Sequence, residues 1–343
     1  MPRSNAKQVL AIVAAASLAG AAAFARAGAQ QDATQLLHQA VTAYSTNSYV
    51  GQVQNVDFGN QRANATIFRI EHRAPGSTRR WYLAPESLYG DSIISQGDTS
   101  YDVDTHNHRI VVIKDDALDD QVTEDENFGL LLHNYNTVMA PDDNIAGRRS
   151  LSVLLVNKYT GQTVMRISLD AQTKLVLQKE LYSSSGSVSH QMRFEQIRYT
   201  SSLPTQLFEL PGGYRHVNGA SHGISSSDLP AVVRTAGFQA LGPKYLPEGF
   251  LPIAGDVSEI KGVRTLHLLY SDGLRTVPIF ENDRGAAVDL SKYTAHDTMV
   301  RSHKASYVED GPTTLLTWPQ GNLHIALVGE LSRTELVRIA ASF

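Results

Sequence analysis

Two short patterns in this chain contain residues that could do chemistry. Residues 219–223, with the sequence GASHG, match the G-x-S-x-G pattern that surrounds the nucleophilic serine of many hydrolases. That chemistry requires the serine, here Ser221, on a sharp turn between a buried strand and a helix. The residues around it are rich in Gly, Ser and His and have little apolar periodicity, which is typical of a linker. We therefore predict neither a serine hydrolase nor any catalytic residue.

The second pattern is a pair of histidines, His106 and His108, separated by one residue. On a β-strand the two side chains would share a face and could bind one metal ion. The segment 104–108 is polar throughout, however, and is typical of a turn, where the side chains diverge. No third ligand has a metal-binding spacing, and the sequence contains no H-E-x-x-H, P-loop or G-x-G-x-x-G motif. We predict no metal and no cofactor.

The bulk composition favours two globular domains. The chain has 343 residues, more than one hydrophobic core usually holds. Apolar residues make up 42% and charged residues 19%, which is enough to form buried cores and argues against global disorder. The net charge of −4 shows no basic excess, so nucleic acid is not expected as a partner.

Residues 1–29 have the pattern of a secretory signal peptide. Arg3 and Lys7 supply positive charge, residues 9–24 are apolar and uncharged, and small-x-small cleavage sites follow. The apolar segment is short for a bilayer span of about 20 residues, although an uncleaved anchor stays open as the alternative. The chain has no cysteine that could be acylated. We therefore predict a soluble protein exported to the periplasm.

The first half of the mature chain has one helical pattern followed mainly by strand patterns. Apolar residues recur at helical spacing in 32–46, strands are predicted at 49–58 and 65–72, and two more strands are predicted within 96–113. A short helix is predicted at 128–139. Between residues 150 and 200, four β-rich segments with short connections predict an antiparallel meander, which needs helices to cover one face.

Two further segments are predicted to lie outside the regular elements. Residues 115–126 contain seven carboxylates and no Lys or Arg, which is typical of a solvated loop. They lack the spacing and central glycine of an EF-hand calcium loop. Residues 212–231 are rich in Gly, Ser and His, and we interpret them as a linker between domains.

The second domain, residues 232–343, is expected to contain a hairpin and a final helix. Two apolar segments flank Asp272-Gly273, a turn pair that favours a β-hairpin. Pro278 lies in the second hairpin strand, and because proline lacks an N–H group we expect an edge position there. Ser332, three residues before Glu335, predicts the capped start of the last helix.

The order of several motifs resembles that of the RseB/MucB family. Residues 264–280, with LPEGF at 246–250 and LHIALVGE at 323–330, resemble its C-terminal domain. RIEHR at 69–73 and IAGRR at 145–149 are similar to its N-terminal domain. The resemblance implies an α+β fold: a LolA/LolB-like half-open antiparallel β-barrel with helices over residues 30–211, followed by a smaller α+β domain.

The resemblance also implies a function. Proteins of this family are periplasmic negative regulators of an envelope-stress sigma factor. They bind the periplasmic segment of a transmembrane anti-sigma factor of the RseA/MucA type and protect it from regulated proteolysis until lipid or lipopolysaccharide signals release it. The alternative is a periplasmic lipid or lipoprotein carrier of the LolA type, for which a second domain has no evident use. Neither function is enzymatic, and a homo-oligomer stays open.

A barrel of this kind would enclose an apolar cavity, but the sequence does not indicate which residues contact the partner. Candidates for the lining are apolar residues on the predicted strands, although buried aromatic side chains often serve only as core. The six lipid-cavity candidates are Phe68, Ile70, Trp81, Leu83, Tyr101 and Val103.

Overall fold

A computed structural model describes most of the chain beyond the predicted signal peptide. The GASHG pattern, the turn after residue 58 and the acidic residues 115–124 lie outside the described part. The described residues are 32–58, 63–97, 99–114, 125–218, 228–260, 262–285, 287–310 and 313–343.

The N-terminal unit is a twelve-stranded sheet with two helices. Its strand order is β12-β6-β5-β4-β3-β2-β1-β11-β10-β9-β8-β7, and all pairs except β12–β6 are antiparallel. In chain order the elements are α1 (32–46), β1 (Tyr49–Phe58), β2 (Ala63–Arg73), β3 (Ser77–Ala84), β4 (Ser92–Gln96), β5 (Thr99–Asp104), β6 (Arg109–Lys114), α2 (Asp125–Asn134), β7 (Tyr135–Ile145), β8 (Arg148–Asn157), β9 (Thr163–Asp170), β10 (Val176–Tyr182), β11 (Val188–Tyr199) and β12 (Arg215–Asn218).

Helix α1 crosses one face of this sheet, which we call the inner face. Near the start of the helix, Thr34 hydrogen-bonds Thr137 of β7 at 2.7 Å, and in its last turn Tyr44 hydrogen-bonds Thr78 of β3 at 2.5 Å. Leu36, Leu37 and their helical neighbours are buried against β8 and β9. The sheet is open at its two ends, so the predicted half-open antiparallel barrel with helices is confirmed.

The opposite, outer face of β4–β6 has a small core of its own. Residues that pair across neighbouring strands share a face, so Ile94 and its partner Tyr101 point to the same side. Val103 and Ile110 join them, and Phe208 from the segment after β11 covers the cluster. The sheet therefore has buried apolar side chains on both faces.

Two segments differ from the sequence prediction. The helix expected over 128–139 ends at Asn134, and Tyr135 begins strand β7. Part of the expected linker is strand β12, which pairs in parallel with Arg109–Val112 of β6. Residues 219–227, which follow β12, lie outside the described residues, and helix α3 begins at Leu229.

The C-terminal unit is a seven-stranded sheet with two helices packed on one face. Its strand order is β13-β14-β15-β19-β18-β17-β16, and the buried Trp318, Leu336 and Ile339 belong to its core. Ser332 caps α4 as predicted, because its hydroxyl accepts from the Glu335 N–H at 3.3 Å. The elements are α3 (Leu229–Thr235), β13 (Leu251–Ile260), β14 (Val263–Ser271), β15 (Thr276–Asn282), β16 (His296–Val300), β17 (His303–Asp310), β18 (Thr313–Gln320), β19 (Leu323–Gly329) and α4 (Arg333–Ala340).

The expected edge position of Pro278 is wrong. Its strand, β15, lies between β14 and β19 inside the sheet. Pro278 pairs with Leu269 of β14, whereas the pairing with β19 begins one residue later, at Ile279. The proline is accommodated because it precedes the part of β15 that pairs on both sides.

The tip of the β14–β15 hairpin joins the two units. We call residues 271–275 the hairpin tip. Leu274 is buried in the core of the N-terminal unit with Leu131 and Phe128 of α2. Gly273 has a φ of 90° and lies so close to α2 that an added Cβ would be 2.2 Å from the Leu131 nitrogen. The hairpin turn recognised in the sequence is therefore also the contact between the domains.

Candidate functional site

A cavity of about 200 Å³ lies between α1 and the inner face of the sheet; we call it the barrel cavity. Three side chains that can carry positive charge also line it: Arg80, Lys179 and His190. This combination of apolar walls and cationic groups is suited to an amphiphile with an anionic head. The apolar walls include Val53, Phe68, Ile70, Leu175, Met192 and Phe194.

The structure brings two of the six predicted cavity residues to this place. Phe68 and Ile70 line the barrel cavity and are buried. Trp81 and Leu83 do not reach it, and each is 40% exposed. On β3 the inward positions are instead those of Arg80 and Tyr82. Arg80 pairs with Ile70, and Tyr82 pairs with Phe68. The prediction that Trp81 and Leu83 point inward from β3 is therefore wrong.

Tyr101 and Val103 also lie away from the barrel cavity. They belong to the small core on the outer face, under Phe208. The same face carries Trp81, because Trp81 pairs with Ser92, which in turn pairs with Val103. Tyr101 and Val103 therefore contribute to core packing. The role of Phe68 and Ile70 in lipid binding stays a prediction.

A buried histidine fixes the end of α1 beside the barrel cavity. The His72 Nε2 lies 2.9 Å from the backbone carbonyl of Tyr44 and therefore donates to it. Its Nδ1 lies 2.8 Å from the Thr78 hydroxyl, which leaves Nδ1 to accept. Burial lowers the pKa of His72 to about 4, although the Tyr44 carbonyl opposes the shift. The imidazole is therefore neutral near pH 7 and connects α1 to β2 and β3.

A second, larger opening of about 680 Å³ lies between the two units; we call it the interdomain cleft. The N-terminal unit contributes Asp57 and His190, whose Oδ1 and Nδ1 atoms are 2.6 Å apart. His190 also lines the barrel cavity, so the two openings are neighbours. The C-terminal unit supplies apolar side chains, including Val288, Leu290, Tyr293, Val308, Leu315 and Val328.

The interdomain cleft continues along the sheet of the C-terminal unit. A cavity of about 420 Å³ on this sheet shares Val288, Leu315 and Val328 with the cleft and adds Phe280 and Ala326. The strand residues among them lie on the face opposite α4, because their strand neighbours Ile279, Leu316 and Leu327 belong to the core with Leu336 and Ile339. The cleft and this cavity adjoin through these shared residues, and their apolar side chains all belong to the C-terminal unit. The N-terminal unit adds Asp57 and His190, which reach the cleft only through the tertiary fold and were not indicated by the sequence.

The histidine pair considered in the sequence does not form a site. His108 stacks on Tyr214 with ring centroids 5.2 Å apart. His106 approaches Asp91 and Asp104, and ligand atoms of these three residues lie within 4.8 Å of one another. However, the Asp91 carboxylate already accepts from the N–H and hydroxyl of Thr105, at 2.8 and 2.7 Å. The cluster is explained by turn formation, and we assign no metal to it.

An open barrel with helices, joined to a second sheet domain by a buried contact and a shared cleft, defines a two-domain binding protein. The model of the MucB/RseB N-terminal domain matches residues 32–211. The chain therefore belongs to the MucB/RseB family. A domain of unknown function, DUF4367, matches residues 240–343. No curated protein sequence gives a significant match.

Solved structures of MucB are similar to this chain in both units. MucB in complex with MucA(peri) has a TM-score of 0.61 and 17% identity, over 90% of this chain and 97% of that chain. The MucA/MucB complex of Pseudomonas aeruginosa gives 0.61 and 17%, over 91% and 98%. The crystal structure of MucB gives 0.53 and 15%, over 91% and 97%. These similarities show that the two-domain fold is shared.

Within the described ranges, none of the helices combines the length and apolar character that crossing a membrane requires.

Proposed function

We propose that this protein is a periplasmic negative regulator of an envelope-stress sigma factor. It binds the periplasmic segment of a transmembrane anti-sigma factor of the MucA/RseA type. Membership of the MucB/RseB family supports the proposal, as does similarity over both domains to MucB in its complex with MucA(peri). The observation that carries it is the interdomain cleft, where apolar side chains of the C-terminal unit face Asp57 and His190 of the N-terminal unit.

Bound in the cleft, the segment is protected from regulated proteolysis. Extended peptides are recognised by main-chain contacts and by pockets for alternate side chains, and proteases recognise their substrates in the same way. A segment whose apolar side chains are buried against Leu290, Leu315 and Val328 is therefore withheld from a protease. The anti-sigma factor is then cleaved only after its segment has been released from the cleft.

Lipid or lipopolysaccharide supplies the release signal through the barrel cavity. At about 200 Å³ the cavity is smaller than the roughly 300–1,000 Å³ of most ligand sites, so an acyl chain enters only if α1 moves away from the sheet. Tyr44 of α1 and His190 both line the cavity, and His190 also forms part of the cleft. We expect ligand and partner to oppose each other's binding through this shared border, and such linkage is reciprocal.

A lipid or lipoprotein carrier of the LolA type is the second candidate. The apolar walls of the barrel cavity favour it. A carrier would extract lipid from membranes using the N-terminal unit, and it would not need the cleft.

The test is binding and protection with purified mature protein and the periplasmic segment of the anti-sigma factor encoded beside it. Tyr293 lines the cleft and is 55% exposed, whereas Tyr89 is 62% exposed and lies elsewhere. We expect Tyr293→Ala to weaken binding at least tenfold, or about 1.4 kcal/mol, and to restore cleavage, with Tyr89→Ala as the unaffected control. Absence of binding, together with lipid extraction, would favour the carrier.

A further inference from the structure

The interdomain cleft is unusually acidic for an apolar surface. Four carboxylates line it: Asp57, Asp289, Asp310 and Glu330. Among its lining residues in the described part of the chain there is no Lys or Arg, and His190 is the one residue that can become cationic. We propose that the cleft selects a peptide segment in which Lys or Arg side chains accompany apolar anchors. This inference rests on the proposed function and names the chemistry of the partner.

The carboxylates surround an apolar base, so the two features act on one ligand. Leu290, Leu315 and Val328 line the same opening as Asp310 and Glu330. A purely basic ligand would leave the apolar surface in water, while a purely apolar ligand would remove carboxylates from water without a counter-charge. A segment carrying both kinds of side chain meets both demands, and the long stems of Lys and Arg can lie on the apolar surface.

Two side chains near the cleft that can carry positive charge, Arg275 and His190, are already paired. Burial raises the pKa of Glu330, and the charge of Arg275 opposes this shift, although the Arg275 guanidinium already donates to Asp272 at 2.8 Å. His190 lies 2.6 Å from Asp57 and belongs to the border with the barrel cavity. Positive charge from the partner is therefore the complement that the cleft is suited to.

The two neighbouring openings differ in charge. The barrel cavity is lined by Arg80 and Lys179, and the cleft by carboxylates. An anionic amphiphile is attracted to the cavity and repelled from the cleft, while a basic peptide has the opposite preference. Opposite potentials would thus direct the partner and an anionic lipid to different places, so that release occurs by coupling and not by direct competition.

The experiment measures the affinity of two kinds of ligand for the wild-type protein, a cleft variant and a matched control variant. The ligands are the anti-sigma factor segment and a pair of synthetic peptides of equal length, one alternating Leu and Lys, the other Leu and Glu. The cleft variant is Asp310→Asn with Glu330→Gln. The control, Glu195→Gln with Glu209→Gln, removes the same charge from exposed positions of the N-terminal unit outside the cleft. Circular dichroism confirms that each variant is folded.

We expect the Leu/Lys peptide to bind at least tenfold more tightly than the Leu/Glu peptide. The cleft variant should lose at least tenfold in affinity for the Leu/Lys peptide and for the natural segment, with a weaker dependence on salt, because fewer charges interact. The control should retain wild-type affinity. Equal binding of the two peptides, or equal losses in cleft variant and control, would overturn the inference.

The outcomes also separate this inference from the proposed function. If the natural segment binds the wild-type protein and the cleft variant equally well, the charge inference fails while the regulator stands. If the natural segment does not bind at all, the proposed function fails, and the synthetic peptides still decide whether the cleft prefers basic ligands.

Discussion

The hydroxyl of Tyr135 donates a hydrogen bond of 2.5 Å to Oδ2 of Asp272, and both side chains are buried where the two units meet. The same carboxylate forms an ion pair with Arg275. Asn134, beside Tyr135, donates to the carbonyl oxygens of Asp272 and Gly249, each at 2.9 Å. Burial raises the pKa of Tyr135, so the phenol stays protonated as a donor. The hairpin tip is therefore hydrogen-bonded as well as packed.

Removing this hydroxyl should weaken the joint between the units. We expect Tyr135→Phe to lower the free energy of unfolding by about 1–3 kcal/mol, since a buried carboxylate loses one donor. Tyr159→Phe is the matched control. Its hydroxyl donates to Asn134 at 3.0 Å, but the residue is exposed and water can replace the bond. Urea denaturation measures both. Equal losses would show that Tyr135 has no special role in the joint.

A side chain at Gly273 should separate the units. Gly273→Ala places a Cβ against the backbone of Leu131 at a positive φ, so the hairpin tip must withdraw from α2. We expect calorimetry to show two transitions in place of one, because the units lose their shared core. Gly285→Ala, also at positive φ but with no atom within 4 Å of the added Cβ, controls for backbone strain alone. A single transition in Gly273→Ala would contradict this expectation.

Stability should decrease in acid because of His72. Its pKa is about 4 in the folded protein and about 6.5 when unfolded, so between these values the unfolded chain binds the proton and the folded protein does not. The free energy of unfolding should therefore fall as the pH drops from 6.5 to 4, by up to about 3 kcal/mol from this group.

His72→Gln should flatten this part of the pH dependence, as measured by urea denaturation at several pH values. His216→Gln, which removes an exposed imidazole, should leave the wild-type slope. If His72→Gln has the same slope as the wild-type protein, protonation of His72 is not the cause of the loss in acid.

Enlarging the barrel cavity should strengthen the binding of a fatty acid. Phe68→Ala removes a ring from its wall, at a stability cost of about 3–5 kcal/mol, so the measurement is made where circular dichroism shows a folded protein. We expect at least threefold tighter binding of a fluorescent fatty acid. Val103→Ala, in the outer-face core, and Trp81→Ala, on the exposed outer face, should leave the affinity unchanged. An equal response of all three variants would exclude this cavity as the lipid site.

Local signals in the sequence determined most of the elements and the family. The helical spacing of 32–46, the strand at 49–58 and the Ser332 cap are all present in the structure, because each depends on neighbours within one turn or one strand. The order of the motifs was sufficient to place the chain in the MucB/RseB family, which the matching family model confirms. Such features are determined by residues close in sequence and do not depend on contacts across the core.

Only the tertiary structure decided which side chains face the cavity and where the units meet. Alternation on β3 separates Arg80 from Trp81, but it does not say which face is inner, and this sheet buries apolar residues on both faces. Asp272 and Gly273 predicted a turn, yet their contact with Tyr135 and Leu131 depends on a unit more than 130 residues away in sequence. The cleft adds Asp57 and His190 of the N-terminal unit to the acidic and apolar residues of the C-terminal unit, and this combination exists only when the chain has folded.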